Sequence, residues 1–122
     1  MIIKKGCNFE SNFSDGNLYV LLRGEIDHHS AVSVRSSIDE KLYEFRPKNV
    51  IMDLSKIDFM DSSGLGLIMG RYALMQKLGG NFFVANPSER VLKIFELSGL
   101  LRIIKIVNIE NKEEERQNEN KD

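Results

Sequence analysis

The sequence has little of the chemistry that most enzymes need. Its 122 residues hold one cysteine, Cys7. A single thiol permits neither an internal disulfide nor a thiolate metal cluster, and Cys7 reads as a small hydrophobe in an early strand. Histidine is nearly as scarce, with two residues side by side, His28 and His29. A metal on that pair needs carboxylates from Glu25, Asp27 or a distant loop, and the spacing fits no common metal motif, so no cofactor is expected. There is no Gly-x-Ser-x-Gly elbow and no Gly-Lys-Ser/Thr phosphate loop, which argues against a hydrolase or a kinase. No apolar run approaches the ~18 residues that span a membrane, and the N-terminus lacks a signal-peptide apolar region. The expectation is a non-enzymatic cytoplasmic protein with no membrane span.

An excess of basic charge is missing too. The net charge is −1, from 17 basic and 18 acidic residues. Glu110 to Asp122 carries six of the acids and three of the bases, which leaves twelve acids and fourteen bases before it. The preceding part is therefore nearly neutral, without the basic stripe that direct nucleic-acid binding requires. Residues 110–122, charged and almost without apolar side chains, are expected to be a disordered tail or a frayed solvent helix. Residues 1–109 are expected to form one domain, long enough for a single core and too short for a separate catalytic module.

What is present is a strand and helix alternation. Cys7 to Phe13 and Leu18 to Ile26 are strand-like runs joined through Asp15-Gly16, a strong hairpin signal. Both faces of the second run are mostly apolar, which places it inside a sheet. Gly24 to Ser30 reads as a polar turn into a helix capped by Asp27 or Ser30. Ala31, Val34, Ile38, Leu42 and Phe45 then repeat at helical spacing until Pro47 stops them. Val50 to Leu54 is a short buried strand, followed by a polar connection over Ser55 to Asp58. Leu65, Ile68, Met69, Tyr72 and Met75 mark a second helix, ended by Gly79-Gly80. Asn81 to Ala85 is the next strand, and Asn86-Pro87-Ser88 opens a third helix, with Pro87 in its first turn and Val91, Leu92 and Phe95 inward. That helix ends at Ser98-Gly99, and Ile103 to Val107 is the last strand. The fold class is α/β: a mixed, mostly parallel sheet with an N-terminal hairpin and helices packed beside it.

One stretch departs from this ordinary pattern. Phe59-Met60-Asp61-Ser62-Ser63-Gly64-Leu65-Gly66 loads small polar residues and glycines onto the start of an apolar helix. Asp61, Ser62 and Ser63 are each good N-cap residues, and a helix N-terminus carries roughly half a positive charge, so a phosphate there is favoured by ~0.3–1 kcal/mol. Each of Gly64, Gly66 and Gly70 costs a helix interior about 1 kcal/mol relative to alanine, so something must approach that backbone closely. The residues read either as a phosphorylation switch at Ser62 or, more plainly, as a serine cap with packing glycines. A third possibility, an aspartyl-phosphate acceptor at Asp53 in a receiver-like domain, conflicts with the leading hairpin and with the lack of an acidic pair for Mg²⁺.

Taken together, Gly24-Glu25-Ile26-Asp27-His28-His29, the Asp61 to Gly66 motif, Gly70-Arg71-Tyr72 and Leu97-Ser98-Gly99-Leu100 resemble the anti-sigma factor antagonists of the STAS-domain family, with the Asp-His-His and Gly-Arg-Tyr elements similar to its sporulation branch. The resemblance spans nearly the whole chain to Val107. It implies the STAS fold and a partner-switching regulator. The unphosphorylated form binds an anti-sigma factor that is also a serine kinase and so frees a sigma factor. Phosphorylation of Ser62 ends that binding, and a PP2C-type serine phosphatase resets it. It also implies partner contacts by Asp27, His28, Asp61, Ser63, Gly64, Gly66 and Arg71, without a catalytic residue. A general-stress antagonist or a STAS scaffold used only for binding are the neighbouring readings.

Overall fold

A two-residue turn sets the first register. Asp15 and Gly16 both take positive φ, 52° and 81°, the backbone of a tight hairpin turn, and join β1 (Cys7–Ser14) to β2 (Asn17–Ile26). The computed structural model describes residues 6–110. Apart from Glu110, the expected tail lies outside the described residues. After the hairpin come α1 (His28–Phe45), β3 (Asn49–Met60), α2 (Ser62–Lys77), β4 (Asn81–Ala85), α3 (Glu89–Ser98), a 3-10 turn (Leu100–Arg102) and β5 (Lys105–Val107). The five strands lie side by side in chain order. β1 and β2 are antiparallel, and every later pair is parallel, the outcome of successive strand-helix-strand crossovers.

Alternate strand residues point to opposite faces, and the helices cover only one of them. Leu18, Val20 and Leu22 of β2, Val50, Met52 and Leu54 of β3, and Phe82 and Val84 of β4 form one core with Val34, Ile38 and Leu42 of α1, Leu67, Ile68 and Met75 of α2, and Val91 and Phe95 of α3. The thiol of Cys7 packs against this core, and burial pushes its pKa up to about 11, so it stays protonated and inert. On the other face, Tyr19 is 37% exposed, whereas Ile51 and Asp53 are 8% and 7% exposed. Ile109, just past β5, supplies part of that cover. The Asn86 amide donates to the Ile109 carbonyl at 2.8 Å and accepts from its N–H at 3.0 Å. Ile109 thereby lines a groove of about 170 Å³ with Leu21, Ile51 and Asp53.

At the opposite end of the strands, three asparagines form a ladder. Asn17, Asn49 and Asn81 are register partners. Asn49 Nδ2 donates to Asn17 Oδ1 at 2.8 Å, and Asn81 Nδ2 donates to Asn49 Oδ1 at 3.1 Å. Below the ladder, Lys48 N–H donates to Gly16 O and Asn81 N–H to Lys48 O, both at 2.8 Å.

Several boundaries differ from the sequence expectation. Ser55 to Asp58 is not a connection, because β3 continues to Met60. Ten-residue β2 keeps offering it hydrogen bonds, and two register shifts let Ile57 and Met60 stay buried as the strands run on. Gly24 to Ile26 likewise remains strand. Gly24, at φ 103°, lies where a Cβ would strike the Gly6 carbonyl, so only glycine fits. Pro87 precedes the helix, since Ser88 is the cap of α3 and its hydroxyl accepts from Val91 N–H. The last strand starts at Lys105, because the chain first turns through Leu100–Arg102 after Gly99, at φ 80°.

The ladder yields the first prediction. Asn49→Ala removes both rungs and should cost about 1–3 kcal/mol at 0.5–1.5 kcal/mol per hydrogen bond, while Asn17→Ala and Asn81→Ala should each cost about half as much. Urea unfolding of the three variants checks this, and equal losses would show that the rungs do not act through Asn49.

Candidate functional site

The parallel pairing of β2 and β3 brings two helix starts together. Ile26 and Met60 are register partners, and Asp61 N–H donates to Ile26 O at 3.2 Å. Each strand is followed at once by an aspartate that caps a helix. Asp27 accepts from Ser30 N–H at 2.9 Å, and Ser30 Oγ accepts from Asp27 N–H at 2.9 Å, a reciprocal capping box. The Ser30 hydroxyl also donates to Glu25 O at 2.9 Å. Asp61 accepts from Ser63 N–H at 2.8 Å. Hydrogen bonds from the Ser30 backbone and hydroxyl hold the Asp27 carboxyl below its usual range, so it is ionised at neutral pH. α1 and α2 therefore open side by side on one edge of the sheet, with a carboxylate at the head of each.

Because Asp61 does the capping, Ser62 does not. It is the first residue of α2 and is exposed, and its hydroxyl makes no hydrogen bond among the described residues. Ser63 is half-buried and turns toward α1. With His28, Ala31, Val32, Arg35, Gly66 and Leu67 it lines a groove of about 260 Å³ between the two helices. The expected residues thus divide. Asp27, His28, Asp61, Ser62, Ser63 and Gly66 gather at this edge and groove.

Gly64 and Arg71 do not share that exposed surface. Gly64 is buried, and a Cβ there would collide with the Met60 side chain and touch Ile26. It is glycine because β3 lies directly beneath. Arg71 is 6% exposed. Its Nε lies 2.8 Å from Asp39 Oδ1 of α1, with the N–H not directed at that oxygen, and Nη1 donates to Leu67 O at 3.4 Å. Burial pushes the guanidinium below its ordinary value and Asp39 opposes the shift, but arginine's intrinsic pKa keeps it charged. Arg71 packs α1 against α2 from this buried position. Asp53 lies within β3, well before the edge, and accepts from Ser55 N–H at 2.9 Å, which is not the strand-end position that a receiver acceptor occupies.

Sequence reasoning missed Val32, 52% exposed, and Arg35. Their spacing of four and seven residues from His28 puts them on its helix face, a signal available only once His28 is placed at the edge.

The comparisons with known proteins agree with this geometry. The STAS domain matches residues 8–115. The chain is 39% identical over 95 residues to the anti-sigma F factor antagonist of Paenibacillus polymyxa, covering 78% of this chain and 81% of that one. It is 33% identical over 101 residues to the anti-sigma-B factor antagonist of Bacillus subtilis (strain 168), covering 81% and 89%. The solved structure of the anti-sigma factor antagonist SpoIIAA in its unphosphorylated form superposes with a TM-score of 0.74 at 27% identity, over 93% of this chain and 97% of that one. The phosphorylated form of the Bacillus protein gives a TM-score of 0.69 at 27% identity, over 90% and 98%. The chain therefore belongs to the STAS domain family. Among its relatives are antagonists of two different anti-sigma factors, F and B.

The glycines separate packing from contact. Among the described residues, nothing outside the adjoining helix backbone lies within 4 Å of a Cβ built at Gly66, so Gly66→Ala should stabilise the fold by up to about 1 kcal/mol through helix propensity. Gly64→Ala should destabilise it by ~1–3 kcal/mol through overpacking. Thermal and urea melts of the two variants decide the matter, and a Gly66→Ala loss as large as that of Gly64→Ala would contradict the open backbone described here.

Proposed function

We infer that this protein is an anti-sigma factor antagonist whose partner docks on the edge formed by the starts of α1 and α2, and that phosphorylation of Ser62 switches the docking off. The observation that carries the reading is the hydroxyl of Ser62. It stands exposed, with no hydrogen bond among the described residues, at the first residue of a helix whose cap is already supplied by Asp61. An acceptor serine needs that freedom, and a serine engaged as the cap would lack it. The existence of a phosphorylated form of SpoIIAA supports the same reading.

Energetics favour a switch that acts at the interface and spares the fold. A phosphate on Ser62 adds about −1.5 to −2 charges. The sixteen-residue helix α2 tolerates it, since its N-terminus favours an anion by ~0.3–1 kcal/mol. A partner pressed on the edge must instead bury that charge beside Asp27 and Asp61. Losing ~3–4 kcal/mol of binding in this way lowers affinity several-hundred-fold. The kinase is the anti-sigma factor itself, a serine kinase using ATP, and a PP2C-type phosphatase restores the hydroxyl. Asp27, His28, Ser63 and Gly66 contact the partner. The protein works in the cytoplasm, without direct contact to nucleic acid, in sporulation. The similarity to the anti-sigma-B factor antagonist makes a general-stress pathway the second reading.

Two measurements test this. Ser62→Ala should bind its anti-sigma factor constitutively, and Ser62→Asp should bind it weakly while melting as the wild type does. Equal binding by both variants would sink the switch. Tandem mass spectrometry after incubation with ATP and either an anti-sigma F or an anti-sigma B factor should find an acid-stable phosphate on Ser62. Which kinase delivers it decides the pathway, and an acid-labile phosphate on Asp53 would overturn the assignment.

A further inference from the structure

The groove beside Ser62 carries its own chemistry. Its walls are Ala31, Val32 and Leu67 with the bare backbone at Gly66, and its lining includes no aspartate or glutamate. At about 260 Å³ it falls below the ~300–1,000 Å³ of small-molecule sites, which marks it as a slot for side chains. Arg35 on its wall is exposed and has no carboxylate at ion-pair distance among the described residues. The nearest fixed charges do not neutralise it. Arg71 beneath is cationic and close enough to repel it, and Asp39 is already held by Arg71. The slot is therefore apolar at its base and positive at the Arg35 end of its rim, eight residues or about 12 Å along α1 from the Asp27 carboxylate at the helix head.

We propose that this α1–α2 groove seats an acidic–apolar segment of the anti-sigma factor, with an apolar side chain lying on Val32 and on the backbone at Gly66 and a neighbouring carboxylate paired with Arg35. The proposal rests on the reading of the edge as an anti-sigma docking site, and deepens it by naming the chemistry of what docks. Charge complementarity selects the occupant: a basic segment is repelled by Arg35, and a purely apolar one leaves the guanidinium desolvated without a partner. Gly66 is then glycine because the partner needs the space that a methyl group would fill.

Titration calorimetry of the full chain against the anti-sigma F factor of Paenibacillus polymyxa tests this, with Ser62→Asp measured alongside. Arg35→Glu should weaken binding on the order of tenfold or more, Arg35→Lys should keep most of the affinity, and Arg35→Gln should flatten its salt dependence. Arg35→Glu binding as tightly as wild type while Ser62→Asp binds weakly would overturn the groove proposal and leave the switch standing. Failure of wild type to bind either this factor or an anti-sigma B factor would overturn both. Should Arg35→Glu melt early, amide shift mapping on the wild type decides. Perturbation at Ala31, Val32 and Gly66 on adding the factor supports the proposal, and its absence there overturns it.

Discussion

The site depends on the parallel pairing of β2 with β3. Two parallel strands end on the same side of a sheet, so the residues that follow them are forced to be neighbours although they lie more than thirty positions apart in the sequence. The Ile26 and Met60 partnership, closed by the hydrogen bond from Asp61 to Ile26, brings Asp27 beside Asp61 and sets the first turns of α1 and α2 alongside each other. In open parallel sheets the functional edge lies at the carboxyl ends of the strands. Here that general placement is sharpened by two long strands that pair all the way to their ends.

A division of labour among small residues then sets the character of the edge. The aspartates take the capping work at the edge, which leaves the Ser62 hydroxyl without a hydrogen bond among the described residues. Gly64 admits Met60 from below, while Gly66, two positions on, admits nothing from below and faces outward. Arg71 and Asp39 bring the two helices together from inside, beneath the edge.

Much of this was legible in the sequence, because local signals have local causes. The Asp-Gly turn, the Asp27 and Asp61 caps, the glycine stops and the helical stripes each rest on the chemistry of a few adjacent residues. The errors came where the cause lies elsewhere in the chain. Ser55 to Asp58 looks polar enough to be a loop and becomes strand only because β2 runs beside it. Arg71 carries no sign of burial in its own neighbourhood, and it is buried where Asp39, on another helix, gives it a counter-charge. Val32 and Arg35 carry no motif at all, and their groove exists only between two packed helices.

The asparagine ladder bears on how the chain finds this arrangement. Asn17, Asn49 and Asn81 stand 32 residues apart at each step, so every strand and helix unit between rungs has the same length. Each parallel pair must wait for a full crossover to close, at an entropic cost of about 3 kcal/mol for a loop of this size, whereas the β1–β2 hairpin closes through two residues. The hairpin thus belongs to the early events of folding and the crossovers to the slow ones. During that slow search, a strand that pairs one residue out of step turns its core side chains to water and leaves its asparagine without a rung. A slipped register therefore forfeits a rung as well as core burial, at the end of the sheet where each new strand begins.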